Sequence, residues 1–143
     1  MEIINGERLV LGTCYYPEHW DESLWRDDLK RMLENGIEVI RIAEFAWSKI
    51  ERYEGVFNYD FFDRFLDVAA DMGMKVIFCT PTATPPAWLT EKYPEVLNAN
   101  MDGVLYRHGG RRHYNYNSPK YQELTRIIVE KSASHYAKHP AII

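Results

Sequence analysis

Apolar positions follow two rhythms along the chain. Glu34-Asn35-Gly36-Ile37-Glu38-Val39-Ile40-Arg41-Ile42 and Asp71-Met72-Gly73-Met74-Lys75-Val76-Ile77-Phe78-Cys79 repeat one pattern, with their glycines 37 residues apart. In each, a glycine that can take the left-handed conformation ends a helix, and the β-branched run after it suits a strand covered on both faces. A third such strand, Arg8-Leu9-Val10-Leu11-Gly12-Thr13-Cys14, precedes them. Between strands the period lengthens. Trp25, Leu29, Met32 and Leu33 recur at offsets 0, 4, 7 and 8, and Phe62, Phe65, Leu66, Ala69 and Met72 at 0, 3, 4, 7 and 10. Those are the stripes of helices lying on a sheet. Asp21, and Asn58 or Asp60, stand where helix starts favour a short polar cap, with Glu22 and Asp63 adding negative charge to the first turns. A last helix is expected from about Ser118, with Pro119 at its first position, to about His135, ahead of Pro140.

The order is β-α-β-α-β-loop-α, followed by Ala141-Ile142-Ile143. This α/β pattern fits an open doubly wound sheet or the start of an eight-stranded barrel. The loop after the first strand, Tyr15-Tyr16-Pro17-Glu18-His19-Trp20, has no glycine to wrap a pyrophosphate, which favours the barrel. The final run has three residues where a buried strand has about five or six. The expectation is therefore that residues 1–143 are the first three to four βα units of a truncated (β/α)8 catalytic domain. Isolated, such a piece would leave a strand edge unpaired and self-associate.

Composition narrows the function. Hydrophobic residues make up 46% and charged residues 27% of the 143, as in a folded globular protein. Lys plus Arg number 17 against 21 for Asp plus Glu, a net charge of −4, so no bulk positive field draws the chain to nucleic acid or a membrane. No run is apolar enough to span a bilayer, and Glu2, Glu7 and Arg8 stand where a signal peptide needs apolar residues, so a cytoplasmic protein is expected. Cys14 and Cys79 lie in apolar runs without metal-ligand spacing and read as small buried hydrophobes.

In this architecture ligands meet the carboxyl ends of strands. Those ends carry Cys14 to Trp20, Arg41-Ile42-Ala43-Glu44-Phe45-Ala46-Trp47, and Thr80-Pro81-Thr82-Ala83-Thr84-Pro85-Pro86-Ala87-Trp88, each with a tryptophan. Flat apolar faces beside fixed polar groups suit sugars, although the same indoles also serve to pack loops. Arg41 and Glu44, three apart at the end of an apolar strand, either orient a catalytic carboxylate or form a structural ion pair. A glycosidase needs two carboxylates, and Glu18, beside a proline, is no convincing second. The polar segment Asn98 to Asn117 is long enough to be functional. Its arginines and tyrosines are too few for a nucleic-acid groove, and His108 and His113 lack the companions of a metal site. Arg111 and Asn115 serve better as hydrogen-bond donors to a hydroxylated ligand.

Four motifs, Cys14 to Trp20, Arg41 to Trp47, Thr80 to Pro86 and Gly109-Gly110-Arg111-Arg112-His113-Tyr114, resemble in the same order the start of glycoside hydrolase family 42 β-galactosidases. The resemblance implies a retaining mechanism on terminal β-galactosides, with two glutamates about 5–5.5 Å apart and no cofactor. Both would follow later strands, the fourth and the seventh, beyond Ile143. The resemblance thus assigns no catalytic residue here and predicts that the 143-residue chain alone is inactive. It makes Arg111 a substrate-contacting residue, Arg41 a hydrogen-bond partner of the nucleophile, and Glu44 and Trp47 pocket wall. Some members bind structural zinc through a cysteine after His-Tyr, but here that position is Asn115, so no metal is expected. The parent is expected to be a homotrimer. The alternatives are a related barrel glycosidase with another sugar preference and a noncatalytic carbohydrate-binding half-barrel.

Overall fold

The computed structural model describes residues 9–110 and 112–143. In chain order its elements are β1 (Leu11–Cys14), α1 (Trp25–Glu34), β2 (Ile37–Ile42), α2 (Trp47–Ile50), β3 (Glu51–Tyr53), β4 (Val56–Phe57), α3 (Asp60–Asp71), β5 (Lys75–Phe78), α4 (Ala87–Lys92) and α5 (Pro119–Tyr136). Short 3-10 turns join several of them. The described residues form two compact units, one of residues 9–43, 59–79 and 136–143, the other of 44–58 and 80–135.

The first unit is the βα repeat read from the sequence. Its sheet runs β1-β2-β5 with every pair parallel. Ile142 bridges to Val76 in the same sense, Val76 N donating to the Ala141 carbonyl at 2.8 Å and Ile143 N to that of Val76 at 3.1 Å. Each new strand joins beside the last, without the reversal that marks a doubly wound sheet. This is the order in which a (β/α)8 barrel is built.

Register sorts the faces. Ile40 pairs with Val76, and Ile40, Ile42 and Val76 are fully buried together with Leu29 of α1 and Phe62, Phe65 and Leu66 of α3. Burying side chains of this size stabilises by roughly 1.5–3 kcal/mol each. Trp25 meets Phe61 and Phe65 edge-on at 5.2 and 5.1 Å. The next row, Cys14, Arg41 and Ile77, lies on the other face and is far less covered. Both helix ends close on glycines with φ of 79° and 77°, Gly36 and Gly73, as the left-handed C-terminal turn requires.

Several details differ from the sequence reading. Cys14 is exposed and Cys79 only half-buried, where both were expected to be buried; β1 is the edge strand, and all four of its residues are exposed. The first strand spans Leu11–Cys14 only, pairing with β2 from Leu11 onward, while Arg8 lies outside the described residues. Asp21 does cap a short turn, its Oδ1 accepting from Ser23 N at 2.9 Å. At α3 neither Asn58 nor Asp60 caps, since Tyr59 occupies that position.

The second unit is built differently. β3 and β4 form a small antiparallel hairpin. The segment expected to be a loop is tied by antiparallel bridges Leu97 to Tyr114 and Ala99 to Leu105. Asn98 N donates to the His113 carbonyl at 2.7 Å and Tyr106 N to that of Asn98 at 2.7 Å, while Asn100 Oδ1 accepts from Asp102 N and Val104 N. Pro119 opens α5 behind Ser118, whose Oγ accepts from Tyr121 N.

Candidate functional site

Arg41 stands near the carboxyl end of β2, half-buried, on the sheet face opposite the helices. Its carbonyl accepts from Tyr15 N at 2.9 Å, which ties the loop after β1 to this strand. Tyr15 is in turn fixed by its hydroxyl, which donates to Asp28 at 2.8 Å, and burial beside that carboxylate pushes its pKa up. The residue after the strand, Ala43, is fully buried with φ 67°. A left-handed non-glycine residue here is a strained turn of the kind that gathers at functional strand ends.

The second unit holds a cavity of about 490 Å³ lined by Glu44, Phe45, Ala83, Thr84, Pro85, His108, Gly109, Gly110, Arg112, His113, Tyr114 and Tyr116. Three sequence motifs thus meet: the stretch after β2, the Thr-Pro run after β5 and the Gly-Gly-Arg segment. Thr84 Oγ1 donates to the Phe45 carbonyl at 3.0 Å and so joins the first two. Arg111 lies outside the described residues, but its neighbours Gly110 and Arg112 both line the cavity. Arg112 has φ 58°, a second strained non-glycine residue.

His113 anchors the arginine segment. It is 2% exposed, its Nδ1 lies 2.6 Å from the Gly110 carbonyl, and its ring meets His108 edge-on at 4.9 Å. The short contact to a carbonyl makes Nδ1 the donor, which leaves Nε2 buried without a hydrogen-bond partner among the described residues. His108 Nδ1 sits 3.0 Å from Thr90 Oγ1, and its partial burial with His113 nearby holds its pKa below the usual value. Among the described residues no three His, Cys, Asp or Glu side chains gather into a metal site. Asn115, at the position where the resemblance would look for a metal-binding cysteine, spends its Oδ1 on Asn117 N at 2.9 Å.

Tyrosines brace the cavity's other side. Tyr114 stacks on Tyr121 at 4.8 Å and 22°, its hydroxyl 3.2 Å from that of Tyr116, and burial pushes its pKa up. Tyr121 donates to the Thr82 carbonyl at 2.8 Å. Trp47 is not among the lining residues. It is fully buried, and its Nε1 donates to Glu51 Oε2 at 2.7 Å. Glu51 is itself buried. Its Oε1 accepts from Gly55 N at 2.8 Å and its carbonyl from Trp88 Nε1 at 3.0 Å. Burial raises the Glu51 carboxyl pKa against the pull of the hydrogen bonds from Gly55 N and Trp47 Nε1. Glu51 thus holds two of the three strand-end tryptophans, Trp47 through its carboxylate and Trp88 through its backbone carbonyl. The third, Trp20, is exposed.

Sequence reasoning missed Tyr116 and Arg112 as cavity lining and Glu51 as a hub. The only signal for Glu51 was its place four residues after Trp47, ahead of a Glu-Gly turn. Arg112 lies within the Gly109–Tyr114 motif without being singled out there, and Tyr116, exposed in a non-periodic segment, carries no pattern.

The glycoside hydrolase family 42 model, described as beta-galactosidase, matches residues 14–143. The beta-galactosidase BgaA of Thermus sp is 45% identical over 133 residues, which are 93% of this chain and 21% of that protein. Beta-galactosidase Bga of Halorubrum lacusprofundi is 42% identical over 92% of this chain and 19% of its own length. The crystal structure of beta-galactosidase from the psychrophilic Marinomonas ef1 superposes with a TM-score of 0.90 at 42% identity, covering 94% of this chain and 20% of that one. The chain therefore spans about a fifth of the length of these relatives.

Proposed function

The chain belongs to the family 42 β-galactosidases, and on that premise we propose that the protein carrying it is a retaining β-galactosidase acting on terminal β-galactosides. The observation that supports this most is the cavity in which the motifs after β2, after β5 and around Gly110 converge. In the retaining mechanism one glutamate protonates the glycosidic oxygen, and the leaving sugar departs as an alcohol while a second glutamate bonds to the anomeric carbon. The first then deprotonates a water, which breaks the glycosyl ester and frees galactose with its configuration retained. This reading places both glutamates beyond Ile143.

The chain's own residues then supply support. Arg41, on the open face of the sheet, donates a charge-assisted hydrogen bond that keeps the nucleophile ionised. Arg111 grips substrate hydroxyls, and Glu44 forms cavity wall. Trp47, in the core, acts by holding the backbone after β2. Arg111→Ala in the full-length protein should remove at least one charge-assisted bond worth roughly 1.5–3 kcal/mol, lowering kcat/KM for a β-galactoside more than tenfold. Unchanged kinetics would take Arg111 out of the site.

The direct test is galactose release from lactose by the full-length protein, with the anomer followed by proton NMR. β-Galactose as first product fits, whereas α-galactose or no release rejects the assignment. The same reading carries a trimeric protein in the cytoplasm, checked by light scattering and fractionation. No helix among the described residues is long and apolar enough to cross a membrane.

A further inference from the structure

The turn between α1 and β2 sets an asparagine before a glycine, Asn35-Gly36, and both residues are exposed. Of the described asparagines, at 35, 58, 98, 100, 115 and 117, only Asn35 precedes a glycine. The next residue decides how easily its amide nitrogen reaches the asparagine side chain, because a Cβ crowds that approach and glycine has none. Nothing packs over this turn. A Cβ placed on Gly36 would meet no atom of the described residues within 4 Å, its chain neighbours set aside. In the folded chain both reacting groups are nevertheless occupied. Asn35 Nδ2 donates to the Arg31 carbonyl at 2.8 Å, and Gly36 N to the Leu33 carbonyl at 3.0 Å. These bonds close the last turn of α1, and an exposed helix end opens at a small fraction of the free energy that unfolds a core.

We propose that Asn35 is a site of spontaneous deamidation, at which the folded protein converts to aspartate and isoaspartate through Gly36. When the turn opens, Gly36 N gives up its proton and bonds to Asn35 Cγ, the Cγ–Nδ2 bond breaks, and ammonia leaves with that proton. Water then opens the cyclic imide at either carbonyl. One opening leaves an aspartate, the other an isoaspartate whose main chain runs through the side-chain carbons. Neither product fits the turn it came from. The amide that donated to the Arg31 carbonyl becomes a carboxylate, which that carbonyl repels, and the new negative charge stands next to Glu34 at the negative end of the α1 dipole. The cap that delays the reaction therefore cannot re-form after it. Isoaspartate also lengthens the main chain two residues before Ile37, where β2 begins to pair with β1.

The experiment incubates the full-length protein at mildly alkaline pH, folded and in urea, and follows its tryptic peptides by mass. Cleavage after Arg31 and Arg41 releases Met32–Arg41, in which Asn35 carries the one side-chain amide. This peptide should gain the mass of an amide turned acid and split into aspartyl and isoaspartyl forms, about tenfold more slowly from folded protein than from unfolded. Asn35→Gln should suppress the gain, because its longer side chain closes the ring far more slowly. Asn35→Asp installs the charge directly and should speed amide hydrogen exchange at Gly36, whose bond to Leu33 closes the turn, while the buried Ile40 exchanges as in wild type. No gain in the folded protein by the time the unfolded one has converted would overturn the proposal. So would equal rates in the two, a gain that persists in Asn35→Gln, or unchanged exchange at Gly36 in Asn35→Asp.

Discussion

The two units reach order by opposite routes. In the first, fully buried apolar side chains on period-matched helices and strands carry the structure: Leu29, Ile40, Ile42, Phe62, Phe65, Leu66 and Val76 leave no polar atom to satisfy. In the second, hydrogen bonds of polar side chains decide the geometry. Glu51 clamps Trp47, Gly55 and Trp88, His113 holds Gly110, and Asn98, Asn100 and Asn115 stitch the backbone through their neighbours. Apolar burial is non-directional and forgiving of sequence, whereas hydrogen bonds place atoms to within tenths of an ångström. The division teaches that here the scaffold draws on area and the cavity on direction.

Cutting a large side chain from the first unit should therefore cost the most. Phe62 is fully buried and meets Phe61 and Phe78 edge-on at 5.2 and 5.4 Å. Phe62→Ala removes that area and leaves a cavity, so urea unfolding should register a loss of about 3–5 kcal/mol. A loss below 1 kcal/mol would mean that the βα unit is not held by its core.

The same division explains what was legible. Gly36 and Gly73 followed by β-branched runs, and stripes such as Phe62, Phe65 and Leu66, announce strands and helices because burial imposes a period. The edge strand was read too long because its outer residues gain nothing from pairing beyond Leu11, and Leu9 is almost wholly exposed. The hairpin Glu51–Tyr53 with Val56–Phe57 went unread even though a Glu-Gly turn separates its strands. Its stabilising group, the Glu51 carboxylate, points into the protein against the usual rule for acidic residues. At the site, Glu44 and Phe45, after β2, and Thr84, after β5, line one cavity. The pairing that turns residues 97–114 into a hairpin runs through backbone groups and asparagine amides, which leave no periodic trace.

Glu51 sharpens the contrast through pH. Glu51→Gln keeps the shape but puts an amide where a carboxylate oxygen accepted, so either Trp47 Nε1 or Gly55 N loses its acceptor. The expected cost is about 1–3 kcal/mol. Its carboxyl is raised above the ordinary 4.5 chiefly by burial, so the folded chain holds the proton more tightly than the unfolded one. The stability this gives is full below pH 4.5 and is lost as pH rises through the folded value. Unfolding of the wild type across that window should slope accordingly, and Glu51→Gln should flatten the slope. Parallel curves for the two proteins would show that the buried clamp is not what titrates.

The smallest effect expected is that of Tyr121→Phe, and it separates area from direction within a single side chain. The substitution keeps the ring that stacks on Tyr114 at 4.8 Å and removes the hydroxyl that donates to the Thr82 carbonyl at 2.8 Å. If direction governs this unit while area is unchanged, stability should fall by only about 0.5–1.5 kcal/mol. The turn Pro81–Ala83, which leads into the cavity-lining Thr84, should exchange its amide hydrogens faster because its one tyrosine tether is gone. A loss as large as that of Phe62→Ala would show the second unit to be cored like the first, and no change in exchange would show the hydroxyl to be incidental to the cavity wall.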